Sequence, residues 1–351
     1  MNVLLFSMEF RFLHGLTMQS GKLLTCLIFV GVYTNFDILA FIFNGRIMQS
    51  KKINSNCLLA ATLLLGALNV YAASPTLDKI KSSGAVTMGV RESSIPMSYT
   101  TGDSRFDGYH VEVCRMILAD VKDKLGLSTL RINYQPVTSQ NRVPLVQNGT
   151  VDIECGTTTN NSARAKDVGF ANTLYVEEVR IAVKANSGIN SISQLVGKKV
   201  ATTTGTTSVQ LLRKHEKANG VNFDEVFGKD HADSFLLLES GRADAFVMDG
   251  SILAGNIANS KNPKDFKIVG EVLATEPIAI MVPRNDPEFK AAVNAAIAKI
   301  VANGRMSGLW DKWFLKPIPP KNIVVGLELS PATKNAWANL NDKPAEDYVK
   351  K

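Results

Sequence analysis

Arginine side chains beside hydroxyl and amide side chains recur at three places in the chain, each directly after a segment with the pattern of a β-strand. The three runs cover residues 91–94, 139–142 and 157–164, and their arginines are Arg91, Arg142 and Arg164. A guanidinium group is planar and pairs with a carboxylate through two parallel hydrogen bonds, while neighbouring hydroxyl groups add further donors. One such arginine is ordinarily a solvated surface residue, so the prediction of a carboxylate site depends on the three runs meeting.

The segments around these runs predict the elements that would bring them together. Strands are predicted at Val86–Val90, Leu130–Tyr134 and Val151–Cys155, with a helix whose apolar residues recur between Val113 and Leu125 and a short one at Val143–Gln147. The order strand, helix, strand, helix, strand is typical of a parallel sheet covered on both faces. Ligands bind such sheets at the carboxyl ends of the strands, which is where the three runs lie.

A second unit of the same kind follows, with strands at Val200–Thr203 and Ala243–Met248 and helices at Ser208–Ala218 and Ser234–Ser240. Residues 145–152 match residues 237–244 at a constant offset of 92. At that offset Thr157 corresponds to Asp249, so two similar lobes that face each other would place both residues in one cleft. The alternative is that a helix, a glycine and a strand in succession are simply common in α/β proteins.

The pattern of apolar residues in the carboxyl-terminal third of the chain predicts elements of the buried core. Ile278–Val282 has the pattern of a strand, and the apolar residues from Phe289 to Val301 form one face of a helix that ends at Gly304. Trp310, Trp313 and Phe314 follow at a spacing that is typical of core packing.

Residues 48–72 have the features of a secretory signal peptide: two lysines, an apolar stretch from Cys57 to Val70 and small residues before a cleavage point after Ala72. The apolar stretch is 14 residues long, short of the ~20 that span a bilayer. A signal peptide normally starts at the initiator methionine, so we interpret Met48 as the true start and residues 1–47 as an upstream extension of the coding sequence. The alternative is a membrane span at Leu23–Phe43, which two polar residues interrupt.

The composition and the absence of several known motifs exclude some classes of function. The chain of 351 residues is 45% hydrophobic and 20% charged, as expected for about two globular domains. Its net charge of +7 is not gathered into a basic stripe, so we expect no nucleic-acid partner. The four cysteines lack metal-ligand spacing, and no phosphate-binding, dinucleotide or hydrolase motif occurs, so we expect no metal, no cofactor and no catalytic residues.

Many short segments of the sequence resemble those of the periplasmic solute-binding proteins of polar amino-acid ABC transporters, in particular the branch that binds glutamate and aspartate. The resemblance runs from about Thr76 to Asp342. The segments that show this resemblance include residues 90–96, 138–142, 147–150, 154–156, 159–161, 238–242 and 317–322.

The resemblance implies an α/β fold of the type II periplasmic binding protein class, with two lobes that are each an open, mostly parallel sheet flanked by helices. Lobe 1 would be discontinuous, with residues 73–176 and 277–325, and lobe 2 would be 177–276. Residues 326–351 would be a C-terminal extension. The hinge strands would lie near Leu174–Arg180 and Glu271–Ile278.

The resemblance also implies a role for each candidate site residue. Arg164, Thr157 and Thr159 would hold the α-carboxylate of an amino acid, and Asp249 would hold its ammonium group. The side-chain carboxylate would be surrounded by Arg91, Ser139, Arg142 and His231, with Thr207 contributing from the start of a helix in lobe 2. Three arginines against one aspartate favour an acidic ligand.

By this resemblance the protein would be a periplasmic monomer that delivers L-glutamate or L-aspartate to permease subunits in the inner membrane, and it would not be an enzyme. Two other classes stay open. A cyclic-acid dehydratase would need an acid or base in the cleft, for which Glu154 is the nearby candidate. A sensory ectodomain of a receptor is the third class.

The cysteine pairing does not follow from the resemblance. Cys114 on the first long helix and Cys155 on the third strand could form a disulfide in an oxidising compartment, but we favour buried free thiols.

Overall fold

The computed structural model describes residues 74–348 and, before them, only the backbone of four short strands: β1 (His14–Gln19), β2 (Lys22–Leu27), β3 (Ala40–Phe43) and β4 (Arg46–Gln49). β1 pairs with β2 and β3 with β4, both antiparallel. The predicted signal peptide lies outside the described residues apart from its first two, as does much of the predicted upstream extension. The described parts of Leu23–Phe43 are strands, and no helix among the described residues is long and apolar enough to cross a membrane.

The chain divides into two units, Met1–Tyr71 and Ala72–Lys351, and the account that follows concerns the second. Its elements up to residue 184 are α1 (Pro75–Ser83), β5 (Ala85–Val90), β6 (Ser93–Ser94), β7 (Ser98–Gly102), β8 (Arg105–Asp107), α2 (Tyr109–Lys124), β9 (Arg131–Pro136), α3 (Arg142–Gln147), β10 (Ile153–Glu154), β11 (Val168–Phe170) and β12 (Tyr175–Lys184).

The elements after residue 184 are β13 (Lys199–Thr203), α4 (Thr207–Asn219), β14 (Asp224–Gly228), α5 (His231–Glu239), β15 (Ala245–Asp249), α6 (Gly250–Asn259), β16 (Phe266–Ile278), β17 (Met281–Pro283), α7 (Pro287–Ala302), α8 (Arg305–Trp310) and α9 (Pro331–Ala338). Short 3-10 turns lie at Arg164–Lys166, Ile192–Leu195, Pro263–Asp265 and Ala345–Asp347, and a π-helical turn at Asp311–Leu315 follows α8.

Two five-stranded sheets organise this unit. The first has the order β11-β17-β10-β5-β9, in which β9, β5 and β10 are parallel and β17 is antiparallel to both of its neighbours. The second has the order β14-β13-β15-β12-β16, with β14, β13 and β15 parallel. Lobe 1 denotes the elements around the first sheet and lobe 2 those around the second, so each lobe contains the parallel core predicted from sequence.

Two strands depart furthest from their predicted extent, and the others differ by no more than two residues at either end. The predicted strand 151–155 is shortened to Ile153–Glu154, and the predicted strand 278–282 is shared between the end of β16 and β17. In the second case Ala279 N donates to Thr158 O, so residues between the two strands pair with a loop instead. Strand β14 was not predicted, because Asp224 and Glu225 break the apolar pattern of an edge strand.

Helix α5 begins three residues earlier than predicted, at His231. The carboxylate of Asp230 accepts hydrogen bonds from Ala232 N at 3.0 Å and Asp233 N at 3.2 Å, which satisfies donors at the start of the helix. The apolar periodicity that begins at Ser234 does not show this cap. The earlier start places His231 at the end of the helix that faces lobe 1.

The predicted aromatic core is confirmed. Trp310, Trp313 and Phe314 are buried, and the rings of Trp310 and Phe314 stack with centroids 3.7 Å apart. The apolar face of α7, which includes Phe289 and Val293, is buried in the same cluster.

Two long strands connect the lobes. β12 and β16 pair antiparallel, with Tyr175 opposite Ile278, and the predicted lobe boundaries at 176 and 277 fall inside them. The C-terminal segment lies against the start of β12, where the indole Nε1 of Trp337 donates to Leu174 O at 2.7 Å and Val176 N donates to Thr333 Oγ1 at 3.1 Å.

A disulfide joins Cys114 of α2 to Cys155, the residue after β10. The expectation of free thiols is wrong, because α2 packs on the sheet with the two Cα atoms 6.4 Å apart, within the span that a disulfide bridges. Both side chains are fully buried.

Replacing both cysteines by alanine should lower the free energy of unfolding by about 4 kcal/mol, since the disulfide closes a loop with a sequence separation of 41 residues. Urea unfolding of the wild type and the double variant, with and without reductant, measures this. Reductant should lower the midpoint of the wild type and leave that of the variant unchanged. Equal midpoints for the oxidised wild type and the variant would contradict the expectation.

Candidate functional site

A cavity of about 180 Å³ lies between the lobes. Its lining residues are Ser139, Arg142, Thr157, Thr159, Thr206, Thr207, His231, Met248 and Asp249. Seven of these nine were predicted as site residues from sequence; Thr206 and Met248 were not. Eight of the nine are polar, so the cavity suits a polar ligand.

Lobe 1 contributes hydrogen-bond donors to the cavity. Arg142 is the first residue of α3, and Ser139 lies in the loop before it. Nε and Nη1 of Arg142 and Oγ of Ser139 are buried without a hydrogen-bond partner in residues 74–348. A buried donor without a partner is costly, which makes these atoms the natural contacts of an anionic group in the cavity.

Arg91 and Arg164, the other two predicted arginines, contact residues that line the cavity. Nη1 of Arg91 donates to Thr157 Oγ1 at 3.4 Å. Arg164 donates from Nη1 to Thr159 O at 3.0 Å and from Nη2 to Gly205 O at 3.3 Å. The second of these bonds crosses from lobe 1 to lobe 2. All nine predicted residues thus belong to one cluster.

Lobe 2 contributes His231, Thr207 and Asp249. Nδ1 of His231 lies 3.0 Å from Thr203 Oγ1, and its Nε2 has no partner in the described part of the chain. Asp249 ends β15, and its Oδ1 is likewise buried without a described partner. The offset of 92 that related Thr157 to Asp249 therefore corresponds to two residues that face one cavity.

Two further carboxylates, missed in the sequence, lie on the hinge strands. Glu177 of β12 and Glu276 of β16 are directly opposite each other. Oε2 of Glu276 accepts from Thr159 Oγ1 at 2.5 Å and from Thr207 Oγ1 at 2.9 Å, so it connects the two lobes. No local motif marks these residues, since only the register of the paired strands places them near residues that line the cavity.

Burial lowers the pKa values of the three arginines and of His231. Loss of solvent, and then the charge of Arg142, lowers the pKa of Arg91 to about 9 and that of Arg164 to about 10. Burial also lowers the pKa of Arg142. The pKa of His231 falls well below its ordinary value because of burial and then the nearby Arg91 and Arg142, so the imidazole is neutral at pH 7.

The pKa values of three nearby carboxyl groups are raised instead. The pKa of Asp249 is well above its ordinary value because of burial and then the charges of Glu177 and Glu276. Burial raises the pKa of Glu177 to about 7. It also raises the pKa of Glu154, which is fully buried and accepts from Thr158 Oγ1 at 2.8 Å.

The count of three arginines against one aspartate is therefore wrong for the buried surroundings of the cavity. Glu154, Glu177 and Glu276 were not counted, and Glu154 and Glu276 both act on the charge of Arg142. The cavity still offers donors and an acceptor as separate groups. Atoms of Arg142, Ser139 and His231 are donors without a partner in residues 74–348, and Oδ1 of Asp249 is an acceptor without one. Within the described residues, no group of three His, Cys, Asp or Glu side chains could hold a metal ion.

Residues 86–316 match the model of the bacterial extracellular solute-binding proteins, family 3. The chain belongs to this family. A glutamate/aspartate import solute-binding protein of Salmonella typhimurium is 42% identical over 299 residues, which cover 84% of this chain and 99% of that protein. An L-glutamate/L-aspartate-binding protein of Pseudomonas aeruginosa is 40% identical over 289 residues, covering 82% and 96%.

Among solved structures, the solute receptor for L-cysteine of Neisseria gonorrhoeae superimposes with a TM-score of 0.63 at 25% identity, over 74% of this chain and 98% of that one. Together with the two sheets and the hinge strands, this match identifies the fold as the type II class of periplasmic binding proteins.

The titration of Glu177 is a direct test of the electrostatics of the hinge. Carboxyl-carbon NMR of the ligand-free protein should show Glu177 titrating near pH 7. The Ser251→Ala variant should raise this pKa further, because the Ser251 hydroxyl donates to Oε2 of Glu177 and favours the charged form. Titration of Glu177 at the ordinary value of 4.5 in both proteins would contradict the buried arrangement.

Proposed function

We propose that this protein is the periplasmic solute-binding component of an ABC importer, and that it binds L-glutamate or L-aspartate in the cleft between its lobes. It acts as a monomer and delivers the amino acid to permease subunits in the inner membrane. Family membership and relatives that are named for glutamate and aspartate import or binding support this proposal.

The observation that carries the proposal is that five buried polar atoms of the cavity lining have no hydrogen-bond partner in residues 74–348. They are Nε and Nη1 of Arg142, Oγ of Ser139, Nε2 of His231 and Oδ1 of Asp249, and all four residues line the cavity. An acidic amino acid presents two carboxylates and one ammonium group. Several donors and one acceptor around a small cavity match that distribution.

The ligand would be oriented by groups from both lobes. Arg164 with Thr157 and Thr159 would hold the α-carboxylate, and Asp249 would hold the ammonium group. Arg142, Ser139 and His231 would bind the side-chain carboxylate, with Arg91 behind Thr157 and Thr207 at the start of α4. The neutral state of His231 lets it donate from Nε2 if Nδ1 accepts from Thr203 Oγ1.

A dehydratase on the same fold has no support. Its candidate acid or base, Glu154, hydrogen-bonds to Thr158 and is not among the residues that line the cavity. The relatives above are named as solute-binding or import proteins.

Isothermal titration calorimetry of the purified protein against the twenty amino acids tests the ligand assignment. L-Glutamate and L-aspartate should bind more tightly than L-glutamine and L-asparagine. Tighter binding of any neutral or basic amino acid would overturn it.

Arg142 should discriminate acidic from neutral ligands. Removing the buried partner of a carboxylate costs ~2–5 kcal/mol, so Arg142→Ala should weaken L-glutamate roughly 30-fold to several-thousand-fold and L-glutamine far less. Arg115→Ala is a matched control, because Arg115 pairs with Asp107 and Tyr134 outside the cavity. Calorimetry decides: equal losses for L-glutamate and L-glutamine would remove Arg142 from the side-chain site.

Affinity should fall as the pH falls through the raised pKa of Asp249. The ammonium group pairs with the ionised carboxylate, so binding shifts Asp249 toward its charged form and releases a proton wherever the free protein holds one. Calorimetry in two buffers of different ionisation enthalpy measures this release. Asp249→Asn should bind weakly and lack this component; the same proton release in the variant would assign it to another group.

A further inference from the structure

A turn of lobe 1 lies between two helices of lobe 2. Ser93 Oγ accepts from Ala232 N, in the first turn of α5, at 3.3 Å. Two residues later, the carbonyl of Ile95 lies against the middle of α6. This segment, β6 and the turn after it, begins two residues after Arg91, so these contacts connect the closed arrangement of the lobes with the position of one predicted ligand residue.

Gly255 is the residue of α6 at this contact. A Cβ atom at position 255 would lie 2.1 Å from the Ile95 carbonyl oxygen and 2.6 Å from its carbonyl carbon. Non-bonded carbon atoms are ordinarily about 3.5–4.0 Å apart. The atoms in the way belong to the backbone, so no side-chain rotation relieves the overlap, and α6 and the turn must separate.

A second glycine of lobe 2 makes a similar approach. A Cβ atom at Gly205 would lie 2.8 Å from both N and Cα of Gln140 in lobe 1. Gly205 also has a φ of +82°, so a substitution there strains its own loop as well. Gly255 lies inside a helix without positive φ, which makes it the cleaner position for a test.

We propose that Gly255 is a positioning residue for ligand binding: its lack of a side chain permits the closed contact with Ile95 that holds the Arg91 loop at the cavity. The inference rests on the proposed function, because closure matters only if a ligand in the cleft stabilises it. Gly255 itself is not among the residues that line the cavity. Its contribution to affinity comes through the closed state, since a ligand shifts such an equilibrium by its differential affinity.

The test compares Gly255→Ala and Gly255→Val with the wild type, using L-glutamate. Overpacking by one methyl group should weaken binding roughly 5- to 150-fold, and valine should weaken it further. The loss should appear as faster dissociation in stopped-flow measurements, with the association rate little changed, because the open form meets the ligand first. Small-angle scattering should show less compaction of Gly255→Val at saturating ligand.

Gly308→Ala is the matched control, because Gly308 also lies in a helix and a Cβ atom there would have nothing within 4 Å. Its affinity should equal that of the wild type. The ligand-free thermal midpoint of Gly255→Ala should be equal to or above that of the wild type, because alanine is the better helix former and an open form lacks the contact.

Two results would overturn the inference. One is an unchanged affinity and dissociation rate in both Gly255 variants. The other is a ligand-free midpoint of Gly255→Ala that falls together with its affinity, which indicates a structural role in the fold alone. A wild type that does not bind L-glutamate contradicts the proposed function instead; the comparison is then made with whichever of the twenty amino acids the wild type binds.

Discussion

Three guanidinium groups, those of Arg91, Arg142 and Arg164, gather beside the cleft. Arg91 and Arg142 are buried, and Arg164 is half-buried. Such a cluster raises the free energy of the protein unless carboxylates lie close by. Glu154, Glu276 and Asp249 act on these charges from nearby, yet none of them forms an ion pair within 4 Å of the three arginines in residues 74–348. The charges are balanced at a distance, and several donor atoms keep their hydrogen-bonding capacity. Neither lobe alone supplies this arrangement.

The hinge takes part in that balance. Glu177 and Glu276 oppose each other on the two strands that connect the lobes, and Glu276 accepts hydrogen bonds from a threonine of each lobe. Their negative charges contribute to the raised pKa of Asp249. The protonation of the cleft and the relative position of the lobes are therefore linked through the same side chains, since opening the lobes breaks at least one of the Glu276 hydrogen bonds.

Local patterns in the sequence predicted five of the six parallel strands, most helices and the three arginine runs, because strand ends and glycine stops are local signals. Thr207 and His231 were named only through the family resemblance. The features that were missed depend on distant parts of the chain. Only strand register places Glu177 and Glu276 near residues that line the cavity, and the Cys114 to Cys155 bond depends on how α2 lies on its sheet. The candidate residues of the site were named from sequence; the counter-charges around them are visible only in the tertiary structure.

The order of the strands in lobe 1 determines when it can be completed. Its interior strand β17 separates β11 from β10, although it follows the whole of lobe 2 in the chain. All five strands of the second sheet lie within residues 175–278. In a chain that emerges from its amino terminus, the second sheet is therefore available in full while β11 still lacks its neighbour. The discontinuous lobe is begun first and finished last, and the cleft exists only after residue 281 has joined its sheet.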